Sequence, residues 1–217
     1  NIRLVKSLII LTHIGHSEKV FVMKRLLLIL ILTLSFQTLV KADDIRDFQI
    51  EGMSIGDSML EHFDKKKIQK KNLFYYPKSK KYAGISIKKK SLKRYENTQF
   101  TFDPKTYKIY SISGKINFPN DINSCLNKKK DVVKEISTLL PSAESYDKES
   151  SHRYDKTGQS INYTTYFNLK DKSGGIRIVC VDWREGIKSN NNILLVDKLM
   201  ISVRHKNYIK FLRKEAY

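Results

Sequence analysis

Apolar residues recur along this chain with two periods, one near 3.6 and one of 2, and the switches between them predict the elements. Ser54-Ile55-Gly56-Asp57 opens a first helix, with Ser54 as cap, Asp57 as the capping acid and Met59, Leu60 and Phe63 as the apolar stripe. It dissolves into Lys65-Lys66-Lys67 and ends before Pro77. Three strand-like runs follow, Tyr82–Ile87, Tyr95–Phe102 and Tyr107–Phe118, the last with Tyr110, Ile112, Ile116 and Phe118 on one face. A second helix begins near Asp121 or Ser124, where Cys125, Val132, Ile136 and Leu139/Leu140 recur at helical spacing, and Pro141 stops it. The polar stretch Ser142–Gly158 holds no apolar period and reads as an exposed loop. Gln159–Lys170, Ile176–Trp183 and Ile193–His205 are three more strands, the first two joined by the hairpin turn Asp171–Gly175.

The string is therefore helix, three strands, helix, three strands. Alternating strands favour antiparallel pairing, so the expected fold class is α+β: two layers, an antiparallel sheet with helices on one face, from tandem helix-plus-three-strand units. The expected halves are 43–120 and 121–217 of one domain spanning 43–217.

Upstream of that domain, Met23-Lys24-Arg25 precedes the short apolar run Leu26–Leu34, and Val40-Lys41-Ala42 places small residues where a signal peptidase cuts. Residues 23–42 are thus expected to be a signal peptide cleaved near Ala42, and residues 1–22 to be translated upstream sequence ahead of Met23. The run breaks at Ser35 and Gln37, well short of the about 20 apolar residues of a membrane span. No transmembrane segment is expected in the exported chain, whose destination would be the periplasm or the medium.

The chain carries 41 Lys and Arg against 22 Asp and Glu. Residues 1–42 hold six of those basic side chains and one acid, so the exported part keeps 35 against 21 and stays strongly basic. Lysines cluster at Lys65, Lys66 and Lys67, and at Lys88, Lys89 and Lys90 with Arg94, interleaved with tyrosines. Export makes nucleic acid an unsuitable partner; an anionic lipid or glycan of the envelope, or an acidic protein, is available instead. These seven cations are the candidate anion-binding residues.

The two cysteines, Cys125 and Cys180, form an even pair in an oxidising compartment and are expected to bridge. Cys125 shares a helix face with Val132 and Ile136, and Cys180 a strand face with Ile176 and Ile178, so burial of both faces brings the sulfurs together. The Cα separation must then fall within about 4.4–6.8 Å.

Catalytic and metal motifs are not found: His62, His152 and His205 show no ligand spacing, and no nucleophile elbow, Gly-rich phosphate loop or cofactor motif occurs. Asp182 and Glu185, in Asp182-Trp183-Arg184-Glu185, are the carboxylates that would suggest an envelope-polymer hydrolase, but a strand-end charge cluster with a half-buried Trp is the commoner arrangement and the preferred reading. The segment Phe48–Ser58, with Ile50-Glu51-Gly52-Met53-Ser54-Ile55-Gly56-Asp57-Ser58, resembles the helix start of many small uncharacterised exported proteins of Gram-negative bacteria. The helix-then-strands layout is similar to the beta-lactamase-inhibitor-protein-like fold, a group that includes small outer-membrane assembly lipoproteins. Asp43, not a lipid-attachment Cys, follows the expected cut. The resemblance implies a binding or scaffolding protein. The expected function is that of a soluble periplasmic, non-enzymatic binding protein without cofactor, whose partner is an envelope protein or an anionic envelope surface.

Overall fold

Backbone ladders, not helices, organise the chain. The computed structural model describes residues 44–69, 73–88, 94–189 and 192–217. The expected signal peptide at 23–42, the expected upstream segment at 1–22 and Lys89 and Lys90 lie outside the described residues. In chain order the elements are a 3-10 turn at Ile45–Asp47, β1 (Gln49–Ile50), β2 (Met53–Ser54), α1 (Met59–His62), α2 (Lys65–Gln69), β3 (Phe74–Tyr76), β4 (Ser79–Lys88), β5 (Asn97–Phe102) and β6 (Ile109–Asn117). Then come α3 (Ile122–Leu139), β7 (Glu144–Ser151), β8 (Ile161–Asn168), β9 (Gly174–Asp182), β10 (Lys198–His205) and α4 (Lys206–Lys214).

Eight strands form one sheet in the order β3-β4-β5-β6-β10-β9-β8-β7, every neighbour antiparallel. Each half of the chain supplies a helical segment and a meander of four strands, and the halves meet at β6 and β10. One face is apolar: Ile85, Ile87, Phe100, Ile112, Ile178, Leu199 and Val203 are buried there under α1, α2 and α3. This is the two-layer α+β fold expected from the alternation of periods.

Several details depart from the sequence reading. The cap of the first helix is Ser58, whose hydroxyl accepts from the Leu60 amide at 3.2 Å while Glu61 accepts from the Ser58 amide at 3.3 Å. Ser54 instead belongs to β2, paired with Gln49, and Gly56 at φ +101° separates it from the helix. Each half contributes four strands to the large sheet where three were expected, and the first half adds the separate β1–β2 pair. β7 falls inside the stretch read as a loop, because its side chains are nearly all exposed and its strand character lies in the backbone ladder to β8. Tyr110 does not share a face with Ile112: a bulge between the Thr101 and Phe102 pairings turns it to the opposite side. The last strand begins at Lys198, after Ile193 and Leu194 are left exposed in the preceding loop. A C-terminal helix, α4, was not anticipated, and it packs on the second face through Tyr208 and Phe211 against Tyr82 and Tyr110.

α3 is amphipathic but shallow. Asp121 caps it by accepting from the Ser124 amide at 3.0 Å, and Cys125 is its one fully buried residue. Cys125 is bridged to Cys180 in mid-β9 with a Cα separation of 6.0 Å, inside the window required by the chemistry. The bridge fixes the helix over β9 and β10, where Val132, Val133 and Ile136 add only partly buried contacts.

Closing a loop with a sequence separation of 55 stabilises by about 4 kcal/mol through the unfolded chain's lost entropy. Cys125→Ser is therefore expected to lower the Tm by roughly 8–16 °C in a thermal melt, and reductant to lower the wild type equally. Tyr95 lays its ring over Gly114, where a Cβ would come within 2.5 Å of ring carbons. Gly114→Ala is expected to cost about 1–3 kcal/mol in denaturant unfolding, as the ring is displaced from the core.

Candidate anion-binding site

The second sheet face differs in chemistry from the first. Antiparallel register sets side chains of facing residues on the same side, so the ladders assemble rows across strands. One row runs Tyr146, Tyr166, Arg177, Ser202, Ser113, Gln99. The next runs Lys148, Thr164, Val179, Met200, Lys115, Asn97, Lys88. A third holds Asn162, Val181, Lys198 and Asn117, and a fourth Asn168, Gly175, Arg204 and Ser111. Polar side chains at this depth need partners: Ser113 donates to Ser202 at 2.8 Å, and Lys115 donates to Gln99 Oε1 at 2.9 Å.

Six cations therefore project from one face: Lys88, Lys115, Lys148, Arg177, Lys198 and Arg204. Among the described residues no carboxylate forms an ion pair with any of them. Burial, with the neighbouring Lys198 charge, pulls the Lys115 ammonium down to about 8. Burial likewise lowers Lys198, which lies 5.1 Å from the centre of the Trp183 ring. The Arg177 guanidinium is lowered to about 10 by burial and by the positive charge of Arg204 beside it. These shifts have one cause, cations taken out of water without counter-charges. A bound anion would supply the missing charge.

The aromatic rim is held by a loop with a buried acid. Asp155 accepts from the Thr157 and Ser160 hydroxyls at 2.7 Å each and from their amides at 3.0 Å each, which holds its carboxyl well below the usual range. Ser160 Oγ in turn accepts from the Arg184 amide at 3.0 Å. That fixes the turn after β9 and seats Trp183 between His152, Tyr154 and Lys198.

The residues singled out in the sequence are dispersed by the fold. Lys65, Lys66 and Lys67 ride on α2, on the helix-covered side, where Ile68 packs with Ile85 and Ile87. Lys88, by strand alternation, projects to the other side and belongs to the cationic face. The Arg94 amide donates to Glu51 Oε1 at 2.7 Å, beside the β1–β2 turn. The Asp182 carboxyl is raised by burial and by Asp197, while Glu185 is exposed in the following turn. His62 contacts Asp57 at 3.5 Å, His205 caps α4 by accepting from the Asn207 amide at 3.2 Å, and His152 is held near 4 by burial against Trp183. No group of metal-ligating side chains gathers among the described residues. Arg177 and Arg204 escaped the sequence reading because neither lies in a run of cations: Arg177 is the single cation of β9, and Arg204 stands six positions from Lys198 in β10. The usable signal was their occurrence at inter-apolar positions of adjacent strands.

No protein-family model, curated protein or solved structure matches this chain.

Lys115 makes the electrostatics measurable. Its folded pKa of about 8 lies below the ordinary 10.5, so between those values the unfolded chain binds more protons and stability rises with pH. Lys115→Gln is expected to flatten the rise between pH 8 and 10 in urea unfolding. Above that window tyrosine ionisation takes over, since burial raises Tyr82 to about 12.

Proposed function

We propose that the protein is an exported, non-enzymatic binding module that holds an anionic envelope ligand on its second sheet face. The observation that carries this reading is the set of six cations on that face without a carboxylate partner among the described residues. A cation surface that were only solvated would be peripheral, as the α2 lysines are; Lys115, Arg177 and Lys198 are instead sunk in the sheet at an electrostatic cost. Export is supported by the basic pair and apolar run at 24–34 and by the Cys125–Cys180 bridge, which suits an oxidising compartment. Among the described residues no helix is long and apolar enough to cross a membrane.

Two anionic probes test the reading: mixed phosphatidylglycerol–phosphatidylcholine vesicles and inorganic polyphosphate, with pure phosphatidylcholine vesicles as control. Binding to at least one anionic probe is expected, weakening steeply as salt shortens the Debye length from about 30 Å at 0.01 M to about 8 Å at 0.15 M. Replacing Lys115 and Lys198 together by Gln should weaken it further. Failure to bind either probe, or equal binding to the neutral vesicles, overturns the reading.

A further inference from the structure

Where the cationic face meets α4, it deepens into a cleft of about 310 Å³, at the lower end of the range for small-molecule pockets. Arg177 and Arg204 come from adjacent strands, β9 and β10, at its floor. Lys148 on β7 and Arg213 on α4 complete the charged lining. No carboxylate lines the cleft, so four cations converge there with nothing of opposite sign among them.

Two further observations point to an occupant. Arg204 Nε is buried and has no hydrogen-bond partner among the described residues, an orphan donor of the kind that an oxyanion satisfies. Arg177 is held beside Arg204 although their charges repel, an arrangement suited to a dianion gripped by two guanidinium groups. The wall on the β7 side is aromatic: Tyr146 and Tyr166 stack with centroids 5.0 Å apart and planes inclined by 22°. Tyr146, on the edge strand, leaves much of its side chain exposed, and both rings line the cleft. The C–H face of a sugar ring packs on such a surface.

Building on the anion-binding reading, we propose that this cleft binds a phosphorylated sugar, with the phosphate on Arg177 and Arg204 and the ring against Tyr146. The phosphate supplies the two charges that the floor lacks and an acceptor for Arg204 Nε. The sugar occupies the remaining volume and hides the tyrosine face from water. The same chemistry is presented by a free hexose phosphate and by the phosphorylated sugar of an envelope glycolipid. The inference concerns that shared group.

The test is calorimetric titration of the full chain with inorganic phosphate, glucose, glucose-1-phosphate and a phosphorylated glucosamine glycolipid in detergent micelles, against empty micelles. Glucose-1-phosphate is expected to bind at least about tenfold more tightly than phosphate, and glucose not to register. Arg204→Gln should lose at least about tenfold for both phosphate-bearing ligands, the cost of one charge-assisted hydrogen bond. Tyr146→Ala, a change at an exposed edge position, should remove the sugar's advantage and leave phosphate binding as it was. A glycolipid that binds more tightly than glucose-1-phosphate assigns the natural source to the membrane; the reverse order assigns it to a free sugar. Equal affinity for phosphate and glucose-1-phosphate, or an advantage that survives Tyr146→Ala, overturns the sugar assignment. Salt-sensitive binding to vesicles or polyphosphate without any heat from glucose-1-phosphate overturns the cleft while leaving the wider anion-binding reading standing. Circular dichroism of each variant separates lost binding from lost folding.

Discussion

The pairing of β6 with β10 is the contact on which the rest of the structure rests. Each half of the chain folds its own four-stranded meander, and a four-stranded sheet with one short helical cover has two edges and an incompletely buried face. Joining β6 to β10 removes one edge from each half and makes a single apolar floor wide enough for α1, α2 and α3 together. The register of that seam also sets the chemistry. Ser113 meets Ser202 and Lys115 meets Met200, so cations and hydroxyls fall on one side while Ile112, Ile116, Leu199 and Val203 fall on the other. A slip of one residue would exchange the two faces and put lysine in the core.

The disulfide serves this arrangement from above. α3 spans 18 residues, yet only Cys125 is fully buried, so its apolar stripe alone gives a modest hold on the sheet. The bond to Cys180 ties the helix to the strand that neighbours the seam. The second face is treated differently: α4 covers part of it with Tyr208 and Phe211, and the rest mixes polar side chains and cations with a few apolar residues such as Val179 and Met200. A protein that needed only stability would place aliphatic residues at Lys115, Arg177 and Lys198, since burying unpaired charge opposes folding. The cost is concentrated on the face that carries the proposed ligand.

Local residue patterns determined much of this protein. The 3.6 and 2 periods located α3 and the cores of β4, β5, β6, β8 and β9, because one buried face per element imposes its own repeat on the sequence. The faces shared by Cys125 and Cys180 with their apolar neighbours were enough to place the bridge. Tertiary structure decided what no local pattern encodes. β7 is a strand because β8 offers it a ladder, not because of its own polar side chains. Tyr110 changes face through a bulge in the β5–β6 pairing, which only the paired strands reveal. The α4 helix has a legible signal in Tyr208, Phe211 and Leu212, but its position on the second face follows from aromatic contacts made far away in sequence. The site shows the same division: the α2 run Lys65–Lys67 is conspicuous in the chain and exposed in the fold, whereas Arg177 and Arg204, 27 positions apart, become neighbours only through the β9–β10 register. Burial and charge convergence are properties of the packed sheet, so the sequence alone could specify the cations but not the cleft they share.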